Sequence, residues 1–176
     1  MFTIEVTERL SLELISYQRS QSLFELVDRD RRYLRQWLVW PEFIQSEADY
    51  SAFIKRSLIE YANEESLIFT ILMDQTPVGT AGFVELNKNL EKAEVGYWLA
   101  ESAQGQGIAT QVVQALVQIG FDRLGLFKIE ASVAVENFKS QRVCERAGMT
   151  LEGIMANAER INNRLLSHKK YALMRS

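Results

Sequence analysis

The segment Gln104-Gly105-Gln106-Gly107-Ile108-Ala109-Thr110 carries the clearest chemical signal in the chain. Two glycines one residue apart let a backbone turn tightly and approach a ligand closely. Apolar periodicity begins at Ile108 and marks a helix, whose start offers unpaired N–H groups and the positive end of a dipole. Both suit a phosphate anion. From Ser102 to Phe121 no side chain is charged, so the acid that commonly sits in a first helical turn, and would repel an anion, is absent. Gln111, Gln114, Gln118 and Asp122 form a polar stripe on this helix, while Ala109, Val112, Val113, Leu116 and Val117 form the inward one. A glycine-rich turn with no ligand is the plain alternative. Other phosphate loops fit worse. A P-loop needs a Gly-Lys pair that is missing here, and the dinucleotide pattern G-x-G-x-x-G fails at Thr110.

Ser140 is the next residue of interest. It shares a predicted helical face with Val143, Cys144 and Ala147, and a polar group on an apolar face needs a partner. A carbonyl in its own helical turn is the local candidate. Cys144 is a conceivable nucleophile, but no histidine is near it in sequence and it shares the packed face, as a buried inert thiol would. The one histidine, His168, begins the last predicted strand beside Lys169 and Lys170 and reads as solvent-exposed. With one histidine and one cysteine in the chain, a metal centre built from several such ligands is excluded. Trp37 and Trp40 fit either the wall of a substrate groove or a helix core.

These residues need elements to hold them. The chain has 176 residues, 47% of them hydrophobic and 24% charged, enough for one domain with its own core. A net charge of −3 gives no basic field for nucleic acid. Arg29 to Arg32, beside Asp28 and Asp30, reads as a solvated helix face. No apolar run is long enough to span a bilayer, and the N-terminal residues do not read as a secretory signal. Cytoplasm is the expectation. The pattern predicts a strand at Leu10–Ile15, a helix at Ser22–Trp40 stopped by Pro41, and a helix from an N-cap at Ser46 to Ala62. Strands follow at Leu67–Met73, Val78–Leu86 and Ala93–Leu99. A helix at Gly107–Leu124, a strand at Lys128–Val135 and a helix at Lys139–Arg146 make a right-handed β-α-β crossover. Strands at Leu151–Ile161 and His168–Arg175 end the pattern, which is α+β.

Gln104-x-x-Gly107-x-Ala109 resembles the acetyl-CoA signature Arg/Gln-x-x-Gly-x-Gly/Ala of the GNAT N-acetyltransferases. Glu94-Val95-Gly96-Tyr97-Trp98-Leu99 is similar to the family's strand before that loop. Asn137-x-x-Ser140, Arg146-x-Gly148-Met149 and Leu151-Glu152-Gly153 resemble the second half of its coenzyme site, with Met149 where phenylalanine is commoner. Tyr33-Leu34-x-x-Trp37-Leu38-x-Trp40 and Ala158-Glu159 resemble the Rim-type branch, which acetylates N-terminal amines of ribosomal proteins. The likeness runs essentially the whole length.

The resemblance implies a single-domain α+β fold over residues 1–176. Its mixed, mostly antiparallel, twisted sheet of about seven strands is flanked by about four helices and splayed centrally into an acetyl-CoA cleft. It implies that the pantetheine arm pairs with the strand edge at Tyr97, Trp98 and Leu99. Pyrophosphate would lie on the amides of Gly105, Gln106, Gly107, Ile108, Ala109 and Thr110, with Gln104 opening the loop. Asn137 would bind the pantetheine or substrate side. Arg142 and Arg146, spaced to point the same way, would meet coenzyme phosphates or else coat a surface. Ser140 would protonate the leaving thiolate. Glu159 would be the general base, or else a surface glutamate paired with Arg160 or Lys169. The implied reaction is direct attack of a primary amine on acetyl-CoA, with no metal. The acceptor is a protein N-terminus, or alternatively a small amine such as a polyamine, aminoglycoside or amino-acid analogue. A non-catalytic acetyl-CoA sensor is the reading outside enzymology. Related proteins are often dimers, so a homodimer is expected; direct nucleic-acid and membrane partners are not.

Overall fold

The computed structural model describes residues 2–176. In chain order the elements are β1 (Thr3–Glu5), β2 (Leu10–Leu14), α1 (Ser20–Leu34), α2 (Glu47–Ala62), β3 (Leu67–Met73), β4 (Thr76–Asn87), β5 (Lys92–Leu99), α3 (Ile108–Gln118), β6 (Lys128–Ala134), α4 (Phe138–Arg146), β7 (Thr150–Ile161) and β8 (Arg164–Met174). The strands form one eight-stranded sheet in the order β1-β2-β3-β4-β5-β6-β8-β7. Neighbours are antiparallel except β5 and β6, which run parallel and are joined by the crossover through α3. Among the described residues no helix is long and apolar enough to cross a membrane.

One apolar layer packs α3 and α4 on the sheet, with Val112, Val113, Leu116, Val143 and Cys144 against Phe83, Val95, Leu99 and Ile129. The other packs α1 and α2 on the opposite face, with Leu23, Val27, Leu34, Tyr50 and Ile54 against Ile68 and Trp98. At about 1.5–3 kcal/mol for each large side chain buried, these layers dominate the stability. Ser46 caps α2 by accepting the Asp49 N–H at 3.2 Å, as the sequence predicts.

Four expectations change. The sheet has eight strands because β1 is a three-residue strip on β2, too short to carry a period. The first helix ends at Leu34, not Trp40. Past Leu34 the chain closes in tighter turns, Gln36 N–H to the Tyr33 carbonyl and Trp37 N–H to the Leu34 carbonyl, both at 3.2 Å. A short 3₁₀ turn with Pro41 near its start then spans Trp40–Phe43. The segment 35–40 leaves the helix axis and carries its aromatic side chains to the sheet. β8 begins at Arg164, because Asn162 and Asn163 (φ 48° and 62°) make a tight hairpin turn after β7. Finally, the basic cluster on α1 is not simply solvated. Asp30 is buried and accepts the Glu101 N–H at 2.8 Å, and Arg31 donates to the carbonyls of Pro41 and Ile44.

The sheet splits in the middle. β5 and β6 pair only at Lys92–Glu94 with Lys128–Glu130. Level with the end of that pairing, β4 carries a bulge between Phe83 and Glu85, opposite Val95 and Glu94. A bulge bends and over-twists its strand, which turns β5 away from β6. Charge closes the vertex: Glu130 lies 3.0 Å from Lys92, 2.9 Å from Lys128 and 3.4 Å from Lys170, and Lys170 lies 2.5 Å from Glu94. Burial works against the Glu130 carboxylate, but Lys128, Lys92 and Lys170 overcome it and hold its pKa down at about 2.

Candidate active site

Beyond the vertex the two strands enclose a cleft of about 650 Å³, lined by Val95–Leu99 on one bank and Ala131–Ala134 on the other. Side chains alternate along β5. Trp98 is buried against α1 and α2, its ring 5.7 Å from that of Trp40, and Leu99 is buried in the other layer. What this stretch presents to the cleft is therefore largely a backbone edge, plus Tyr97.

After β5 the chain enters the glycine loop. Gly105 and Gly107 have φ of +73° and +76°, a region that costs an L-residue about 1–2 kcal/mol. The space at both is open: a Cβ at Gly105 would meet nothing within 4 Å, and one at Gly107 only Gln111 Nε2 at 3.9 Å. The glycines are required by backbone sign, not by crowding. Gly107 caps α3, and the first helical bond runs from the Gln111 N–H to the Gly107 carbonyl at 3.1 Å. The N–H groups of Ile108, Ala109 and Thr110 are thus left to an external acceptor. Ile108, Val112, Val113 and Leu116 are buried and Gln111, Gln114 and Gln118 exposed, so the helix start is fixed in place. Gln104 Nε2 donates to the Leu99 carbonyl at 3.4 Å, and Gln106 Nε2 to that of Ser102 at 3.2 Å. Fixed N–H donors, open space and no local charge fit a pyrophosphate.

Asn137 caps α4, its Oδ1 accepting the Ser140 N–H at 3.2 Å. Ser140 does not turn back on a local carbonyl. Its Oγ lies 2.9 Å from Tyr97 Oη, so one hydrogen bond joins α4 to β5 across the cleft. Burial pushes the Tyr97 phenol up to about 12 against the opposing pull of Ser140, and both hydroxyls stay protonated at neutral pH. Cys144 also lines the cleft, and burial raises its thiol to about 11. It is the protonated, packed thiol that the sequence suggests. Arg142 and Arg146 are both exposed on α4, beside α3, to which the Arg146 carbonyl is tied by Gln114 Nε2 at 3.2 Å.

The other face of the split holds a group that sequence reading missed. Glu159 pairs with neither Arg160 nor Lys169. Its Oε2 lies 3.3 Å from Nε2 of His168, whose side chain is only 15% exposed and lines the cleft. Lys169 faces away and donates to Gln141 Oε1 at 2.7 Å. The sequence alone puts His168 in solvent, at a strand start beside Lys169 and Lys170. The two-asparagine turn instead puts it mid-strand, opposite Ala134. Trp37, Val39, Ala134, Ile161 and Leu166 make a small apolar cluster beside it, and Trp37 and Trp40 both line the cleft. Both readings hold in part: each side chain lines the cleft and also packs on a core cluster, Trp37 on Ala134, Ile161 and Leu166 and Trp40 on Trp98.

Comparison with known proteins agrees with this geometry. The family description "Acetyltransferase (GNAT) domain" matches residues 9–150. The ribosomal-protein-serine acetyltransferase of Escherichia coli is 32% identical over 161 residues, which are 92% of this chain and 90% of that protein. The spermidine N(1)-acetyltransferase of the same organism is 26% identical over 139 residues, which are 77% of this chain and 70% of that protein. The solved structure of RimL, a ribosomal-protein α-N-acetyltransferase in complex with coenzyme A, superposes with a TM-score of 0.95 at 28% identity, covering 98% of each chain. A split sheet, a glycine loop opening a charge-free helix, and this family match lead to one assignment: the chain belongs to the GNAT N-acetyltransferases, enzymes that take their acetyl group from acetyl-CoA.

Proposed function

We propose that this acetyltransferase modifies the N-terminal amine of a protein, a ribosomal protein first among them, by direct attack within a ternary complex. One observation carries the reading. A hydroxyl pair, Tyr97 and Ser140, and a carboxylate, Glu159, reach one cleft from opposite faces of the split sheet. Acetyl-CoA, when bound, supplies a thioester carbonyl for the amine to attack.

The remaining chemistry belongs to the chain. The amides of Gly105 to Thr110 hold the pyrophosphate, and the edge of Tyr97, Trp98 and Leu99 with the free amide of Asn137 orients the arm. Arg142 and Arg146 add charge at the phosphate end. Glu159 draws the proton from the amine; an α-amine near ~8 is already partly neutral at pH 7, whereas a lysine near ~10.4 is not. Ser140 Oγ–H donates a hydrogen bond to the departing sulfur and stabilises the thiolate until it takes a proton from water, with the Tyr97 hydroxyl holding Ser140 in position. For the acceptor, Tyr33, Trp37, Trp40 and Phe43 offer an aromatic wall, and the acids lining the cleft are Glu136 and Glu159. A polyamine calls for several carboxylates, whereas a peptide N-terminus needs one and some apolar surface. The likeness to the ribosomal-protein enzyme, longer and higher in identity, supports the same choice.

The test is thiol release from acetyl-CoA against N-terminal peptides, free lysine and spermidine. Turnover of peptides above the small amines is the expected result. Turnover of spermidine alone would move the chain to the small-amine class, and acetyl-CoA binding with no turnover of any acceptor would make it a sensor.

A further inference from the structure

We infer that the proton leaving the acceptor amine is taken by His168 rather than by Glu159 itself, which orients and stabilises the ring; this refines the role of Glu159 given above and rests on that reading of the cleft as the site of acetyl transfer. The pairing is built by a distortion of the hairpin. Met155 stands across from His168, and in unbroken register Asn157 would face Leu166 and Glu159 would face Arg164. Instead a bulge between Met155 and Glu159 places Glu159 across from Leu166. Glu159 is thereby drawn two residues, about 7 Å of strand, toward His168. Asn157, at φ 50°, takes up the strain, and its N–H is held by Ser167 Oγ at 3.3 Å. Bulges that re-aim a side chain are common beside active sites.

The surroundings leave the two groups to each other. From β8, Lys170 shares the face of His168 but is committed to Glu94 at 2.5 Å. From β7 the facing charge is Glu159 itself. Glu136, in the turn after β6, lies 3.6 Å from Arg164, and Lys139 lines the cleft from α4. The segment 36–40 brings no charge.

With Glu159 Oε2 3.3 Å from Nε2, a carboxylate there favours the hydrogen on Nε2 and leaves the lone pair on Nδ1. The His168 side chain lines the cleft and keeps 15% of its surface exposed there. A carboxylate, ordinarily near ~4.3, is a poor match for an amine near ~8; an imidazole near ~6.5 is closer, and general-base efficiency follows that match. In the step proposed, an ammonium N–H bond breaks and an N–H bond forms at Nδ1. The imidazolium is held against Glu159 and then releases the proton to water.

The experiment compares pre-steady-state acetyl transfer to an N-terminal peptide, across pH, in three variants whose folding is checked by their acetyl-CoA thermal shift. His168→Gln keeps an N–H donor for Glu159 and cannot hold the proton. It should lose about 10–10²-fold in rate, with KM for the peptide nearly unchanged and the acidic limb of its rate profile displaced. Added imidazole should restore part of the rate to His168→Ala and none to Glu159→Gln. His168→Gln at the wild-type rate beside an impaired Glu159→Gln would overturn the inference and leave Glu159 as sole base. Glu159→Gln at the wild-type rate would overturn the role of Glu159 and the pair with it.

Discussion

The two halves of the cleft are made of different material. In the reading proposed above, the coenzyme side is backbone: two glycines in left-handed conformation, three free amides and a strand edge, held by the apolar face of α3. The proposed acceptor side is side chains: Glu159 and His168 from a bulged hairpin, Trp37 and Trp40 from a segment that has left its helix. A backbone site is local, and a short run of sequence specifies it. A side-chain site depends on where turns and bulges deliver residues far apart in the chain. The first half should therefore tolerate changes of side chain that the second half will not.

The sharpest way to break this contrast is to spoil the backbone. Gly107→Asp puts an L-residue at φ +76° and a negative charge beside the free amides. Acetyl-CoA should then no longer raise the melting temperature, whereas the wild type should gain several degrees at saturation. Gln106→Ala, by contrast, should bind within about twofold of the wild type, since surface side chains contribute little.

On the acceptor side, Glu159→Gln should lower turnover by about 10²–10⁴ with acetyl-CoA affinity intact. Its defect should shrink as pH rises and more amine is already neutral. Ser140→Ala should show a smaller loss that persists at high pH, because the sulfur still needs a donor. Pre-steady-state rates are the observable, since product release can mask the chemical step.

The vertex gives a stability test. The Glu130 pKa of about 2 in the fold lies below the ~4.3 of an unfolded glutamate. Its stabilisation is thus fully present above about pH 4.3 and fades as pH falls toward 2. Glu130→Gln should flatten the acid side of the Tm-versus-pH curve, each kcal/mol lost appearing as about 2–4 °C. A modest effect belongs to Arg142→Ala with Arg146→Ala. Exposed charges contribute about 0.2–1 kcal/mol each, so coenzyme affinity should fall by roughly 2- to 30-fold, and less at high salt.

The same contrast explains what could be read from the sequence. The glycine loop, the charge-free helix and the order of strands were legible because each is a local pattern of period, cap and turn. Ser140 was legible as a polar residue on a packed face, but not its partner Tyr97, since nothing in either residue's neighbourhood encodes a contact across 43 positions. His168 was missed because its position depends on Asn162-Asn163 forming a two-residue turn and on the three-residue bulge before Glu159. The asparagine pair was a usable hairpin signal. The bulge has no comparable local sign.

The narrowness of the β5–β6 seam also bears on how the chain reaches this state. Residues 128–174 make one leaf, β6, α4, β7 and β8, closed by a tight hairpin, and β3, β4 and β5 form another by short turns. The β7–β8 hairpin and the β3–β4–β5 meander are local pairings and close early, because little chain entropy is lost in making them. β6 is added to β8 along seven residue pairs, against three at the seam. Three residue pairs and the packing of α3 then join the leaves. We expect that docking to be the late step, seen as low φ-values for substitutions at Ala93 and Ile129 beside higher ones within β3 and β4. On this account the cleft is the line along which two separately nucleated sheets meet without merging.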